Sequence, residues 1–136
     1  MNSKKLRVIN SLFIGVSAIS LFSVSVMAFY NPQAVMDLVA VKLNNTDAFS
    51  SIRGVYGGAA LAMVIFLVST IKQQQKTALF FLSLLWGLYA FSRAVTILVD
   101  GPLGNFGTQW IITETILFSI AILLYIYTKH EPTTQQ

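Results

Sequence analysis

Cysteine is absent from the chain, histidine occurs once, and charged residues make up only 10% of the 136 positions. Each shortage excludes a class of chemistry. Without cysteine there is no disulfide exchange, no thiolate nucleophile and no iron–sulfur or cysteine-held zinc. The lone His130 falls in the polar tail, so neither an ordinary protein metal site nor a haem ligated within the apolar segments is expected, and no cofactor is implied. A soluble domain carries about 25% charge. The deficit here is concentrated in long apolar runs, which identifies an integral membrane protein rather than a soluble core.

What is present is hydrophobic sequence, 55% of the chain. Four runs stand out, at approximately 6–30, 48–71, 77–99 and 108–127. Each has 20 or more residues, enough to cross a hydrocarbon core of roughly 30 Å at about 1.5 Å per residue. Backbone groups in lipid must be satisfied within their own segment, so these runs are helices. The expected fold is therefore all-α: an integral membrane four-helix bundle, one domain over 1–136. Asn31-Pro32 closes the first run and reads as the cap and first residue of something new. The stretch 32–43 places Val35, Met36, Leu38 and Val39 mostly on one side, as in a short amphipathic helix between spans one and two. It reads as a connection resting on the bundle or as a lid over a site. Gln73-Gln74-Gln75 reads as a polar turn, Glu131–Gln136 as a frayed tail, and Asn44-Asn45-Thr46 matches a glycosylation sequon.

The net charge of +4 follows a topology signal and calls for no nucleic-acid partner. Lys4, Lys5 and Arg7 precede span one, Lys72 and Lys76 flank the turn between spans two and three, and Lys129 follows span four. Four crossings put all six on one side, which the positive-inside rule makes cytoplasmic, together with both termini. A rival reading of residues 1–28 is a signal peptide cleaved after Val26-Met27-Ala28, but the apolar run exceeds the usual length of ~7–15 residues for such a segment.

Three ionisable residues lie inside the spans. Arg53 is about 8 Å into span two, Arg93 about 10 Å from the end of span three, and Glu114 about 9 Å into span four. All three depths fall below the outer surface, and ionisable groups in hydrocarbon mark functional sites by default. Tyr56 shares a face with Arg53; Tyr89, Thr96 and Asp100 share one with Arg93. One reading is a structural ion-pair network in which Asp100, unfavourably placed at a helix C-terminus, takes an Arg partner. The other is a pocket whose two Arg forks accept a carboxylate or phosphate head, with Glu114 as a candidate proton acceptor. Trp86, near mid-membrane, reads as core packing rather than a ligand platform. Gly54, Gly58 and Ala62, widened by Gly57, form a small-residue ridge for helix packing within the chain or in a homodimer.

Asn31-Pro32, Ile52-Arg53-Gly54-Val55-Tyr56-Gly57-Gly58, Arg93 through Asp100-Gly101-Pro102, and Glu114, taken in that order, resemble the bacterial membrane family known as domain of unknown function 4345. Its layout is similar to that of DoxX-like four-helix membrane proteins. The resemblance implies a four-helix bundle in a bacterial inner membrane and brings no reaction with it. Within that frame three functions compete. The first is a binding or accessory protein with an outer-leaflet polar pocket for a lipid-like or amphipathic ligand. The second is an isomerase-like membrane enzyme using Glu114. The third is a small dimeric transporter. The absence of a nucleophile–base pair, a metal set or a cofactor fingerprint favours the first.

Overall fold

The computed structural model describes residues 3–130; the expected tail at 131–136 lies outside them. The described chain is helical with no strand, and four helices are long and apolar enough to span a membrane. The all-α, multi-pass expectation holds. α1 runs Ser3–Tyr30, α2 Pro32–Asp37, and the second span Thr46–Thr70 is composite. It opens as α3 (Thr46–Ile52), passes through a π-helical segment (Arg53–Ala59) and continues as α4 (Ala60–Thr70). α5 (Gln75–Val99) and α6 (Asn105–His130) complete the chain.

The ends of these helices have local causes. Pro32 disfavours helical geometry at the residue before it, so Asn31 is non-helical (φ −142°, ψ 90°) and α1 stops. Pro32 then occupies the first turn of α2, where no N–H is needed. Asn31 stands at the cap position, yet its side chain makes no capping bond. The interhelical segment is shorter than expected. α2 ends at Asp37, and its Val35 and Met36 pack on Ala28 while Leu38 and Val39 are half exposed. The turn that follows bends through Ala40 at φ +57°. Gln33 secures it, donating to Asp37 Oδ1 (2.7 Å) and the Val41 carbonyl (2.9 Å) and accepting from the Leu43 N–H (2.9 Å). Asn45 caps α3 by accepting the Ala48 N–H at 2.8 Å. α5 ends where the Gly101 N–H reaches back to the Thr96 carbonyl (3.2 Å) at φ +107°, a conformation that favours glycine, and Pro102 prevents continuation.

Two compact units result. One contains Gly15–Ser69; the other joins the residues up to Ile14 with those from Thr70 onward. In the first, Ser25 Oγ donates to the Gly57 carbonyl at 2.9 Å, and the Phe29 ring lies over Gly57 so closely that a Cβ there would sit 3.2 Å from three ring atoms. Gly57 is thus the buried member of the small-residue ridge. Gly54, Gly58 and Ala62 are exposed.

In the second unit α5 and α6 form an antiparallel hairpin. The buried residues of α5 are Gln75, Ala78, Leu79, Leu82, Ser83 and Trp86, a stripe with alternating spacings of three and one. Three contacts fix the register: Arg93 with Glu114, Gly87 under the Phe118 ring, and Phe80 with Tyr125 at 5.6 Å between ring centroids. Gln75 does not belong to the turn. It is buried as the first residue of α5 and bonds back to α1.

Candidate functional site: the Arg93–Glu114 pair

Arg93 and Glu114 reach each other because antiparallel helices bring equal depths together. Arg93 lies seven residues before Asp100, Glu114 six after Thr108. The guanidinium grips the carboxylate with two bonds, Nε to Oε2 at 2.7 Å and Nη2 to Oε1 at 2.9 Å. This bidentate, charge-assisted geometry is the strongest that such a pair adopts. Glu114 is 1% exposed, whereas 26% of the Arg93 side chain is open. Phe106 stands 6.0 Å from Arg93 Cζ, at the edge of cation–π range, and packs at 6.0 Å on Trp110.

Of the five N–H donors of Arg93, the pair uses two, which leaves three without an acceptor among the described residues. Both oxygens of Glu114 are engaged, each by one bond. The pair is electrically neutral, and its unused N–H donors are on the Arg93 side, the more open of the two. One helical turn away, Tyr89 meets Trp86 edge to face, with centroids 6.1 Å apart. Trp86 is buried, as core packing requires, but its indole N–H has no hydrogen-bond partner among the described residues.

The remaining sequence-predicted residues lie apart from this pair or in the other unit. Asp100 caps α5 and is exposed, with no ion pair among the described residues. The other ion pair described, Lys42 with Asp37 at 3.3 Å, is on the surface. Arg53 belongs to the unit of Gly15–Ser69, opens the π segment, and donates from Nε to the Phe29 carbonyl at 3.2 Å. Tyr56, in the same segment, is 40% exposed.

A polar network that hydropathy alone does not mark lies at the other end of the hairpin. Asn10, 1% exposed, donates through Nδ2 to Gln75 Oε1 (3.2 Å) and to Thr128 Oγ1 (2.9 Å). Its signal was available: an amide inside an apolar span needs a partner on a neighbouring helix.

Four long apolar helices, with an ion pair locked between two of them, define a multi-pass α-helical membrane protein. The chain belongs to the family described as domain of unknown function (DUF4345), matched over residues 9–125, a range that includes Arg53, Arg93, Asp100 and Glu114. No curated protein and no solved structure matches it.

Proposed function

We propose that this is a binding or accessory protein of a bacterial inner membrane, with both termini cytoplasmic, which holds the polar head of a lipid-like or amphipathic molecule against Arg93. One observation carries the reading: three guanidinium N–H bonds at a partly open site have no acceptor among the described residues, while Glu114 keeps the Arg charge tolerable in lipid. An oxygen-rich head satisfies those donors, and Phe106 and Trp110 offer aromatic surface beside it. The burial of Glu114 behind Arg93 favours binding over acid–base chemistry, because a general base must come within hydrogen-bond reach of the proton it removes. The asymmetry of Lys and Arg along the chain supports the orientation, and the layout shared with DoxX-like proteins supports the bacterial inner membrane by analogy.

Native mass spectrometry of protein extracted with its own lipid tests this. The wild-type protein is expected to retain an amphiphile, and Arg93→Met/Glu114→Met, in which no charge is stranded, is expected to release it while staying folded. Identical adducts on both proteins would end the proposal.

A further inference from the structure

A second constellation lies at the other end of the α5–α6 unit, where α1 meets the turn before α5. An open recess of about 450 Å³ there is bordered by Arg7 and Ser11 on one side and by Lys72 and Gln75 on the other. Gln75 sets its geometry. Its Nε2 donates to Ser11 Oγ (2.7 Å) and to the carbonyls of Arg7 and Ile71 (both 3.0 Å). Arg7 Nη2 in turn donates to the Lys72 carbonyl at 3.2 Å. A guanidinium is therefore tied to the residue that carries the second cation.

Nothing described in this unit neutralises the two charges. Its described acids are Asp100 and Glu114, both at the opposite end of the hairpin, and Glu114 is already paired. The first turn of α5 contains no acid and its N-cap makes no side-chain bond, so the helix dipole adds positive potential at the same place. The recess also has an apolar wall. Val8 and Leu12, one turn apart on α1, are 59% and 64% exposed and lead away from the cations along a membrane-spanning helix. An anion joined to a hydrocarbon chain matches both features.

We propose that this recess binds an anionic phospholipid, its phosphate between Arg7 and Lys72 and its acyl chain along Val8 and Leu12. The site is independent of Arg93 and Glu114. A free anion would meet the two cations without using the apolar wall, so the lipid is the occupant that accounts for the whole surface.

The test is a titration in neutral maltoside micelles with dioleoylphosphatidylglycerol or dioleoylphosphatidylcholine, read by native mass spectrometry. The wild-type protein should retain the anionic phosphatidylglycerol selectively. Arg7→Gln/Lys72→Gln should weaken that retention roughly thirtyfold, the combined effect of two basic contacts at a lipid surface. Lys72→Gln alone changes only an exposed side chain, leaves the carbonyl that Arg7 uses, and should cost about fivefold. Lys4→Gln/Lys5→Gln removes equal charge outside the recess and should change retention less than threefold. The proposal falls if that control loses as much as the Arg7/Lys72 variant, if phosphatidylcholine is retained equally, or if Lys72→Gln has no effect. Displacement of the lipid by 10 mM inorganic phosphate would likewise overturn it in favour of a free-anion site.

Discussion

Replacing Arg93 by Met strips Glu114 of its counter-ion in a place where only 1% of the residue reaches solvent. Breaking a buried pair from one side costs about 3–5 kcal/mol, because the stranded charge keeps its desolvation penalty and loses its attraction. About 4 kcal/mol is therefore expected for Arg93→Met. Glu114→Met strands a guanidinium instead, but 26% of that side chain is open and solvent relieves part of the penalty. Its cost should be smaller, about 2–3 kcal/mol. The double variant Arg93→Met/Glu114→Met strands nothing and fills similar volume, so it should lie within about 1 kcal/mol of the wild-type protein. The cycle then gives a coupling of about 5 kcal/mol, beyond the range of ordinary neighbours at ~0.5–3 kcal/mol. Reversible unfolding in mixed micelles of increasing sodium dodecyl sulfate fraction, followed by helicity, measures all four proteins. A coupling below about 1 kcal/mol, or a double variant as unstable as Arg93→Met, would refute the view that burial of the carboxylate makes the pair indispensable from one side only.

Three further outcomes are expected. Gly87→Ala brings a Cβ to 2.9 Å from the Phe118 ring, and should cost about 1 kcal/mol by overpacking; Phe118→Leu in the same chain should restore the melting temperature. Asn10→Ala leaves Gln75 Oε1 without the donor shown to satisfy it, and should lower stability by about 2 kcal/mol in the same unfolding assay. Asp37 is held below the usual carboxylate range, first by the hydrogen bond from the Gln33 amide; desolvation acts the other way, and the Lys42 ammonium lowers it further. A depressed folded-state value means that this support is complete above the unfolded-state range and is lost as pH falls through the folded one. Protection factors of the 38–44 amides, corrected for the intrinsic pH dependence of exchange, should therefore fall on acidification, and Asp37→Asn should remove that fall.

The parts of the molecule governed by one-dimensional patterns were legible from the chain. Length and hydropathy gave the helices, and Asn31-Pro32 and Asp100-Gly101-Pro102 marked two of their ends. The ends that shifted did so because polar residues can extend a helix at the lipid boundary: Gln75 and Asn105 begin α5 and α6 although each reads as loop. Depth arithmetic brought Arg93 level with Glu114, and adjacency in the hairpin closed the pair. Depth says nothing of direction around a helix axis, however. Arg53 shares the calculated level, yet its Nε turns to the Phe29 carbonyl. The π segment was hidden for a related reason. An i→i+5 turn has no compositional mark beyond the glycines that ease it, and here it runs from Arg53 to Ala59.

Helices in lipid gain little from hiding apolar side chains, since acyl tails are as apolar as leucine. The leucines and isoleucines of α5 and α6 therefore do little to choose among alignments of the two helices, because sliding one past the other exchanges one apolar contact for another. Directional contacts must set the alignment, and three levels of the hairpin have them. Arg93 meets Glu114 at one end, the Phe118 ring occupies the space over Gly87 in the middle, and Asn10 ties Gln75 to Thr128 at the other end. A displacement by one turn, about 5.4 Å, would strand a carboxylate, drive a ring into a backbone and break the two hydrogen bonds donated by Asn10 together. Redundancy among these contacts is why loss of the whole ion pair should be tolerated when half of it is not: the Gly87 and Asn10 levels keep the register, and no charge is left in hydrocarbon without a partner. The free N–H groups of Arg93 are surplus to that structural task, so they can be occupied by a ligand without disturbing the helices that hold them.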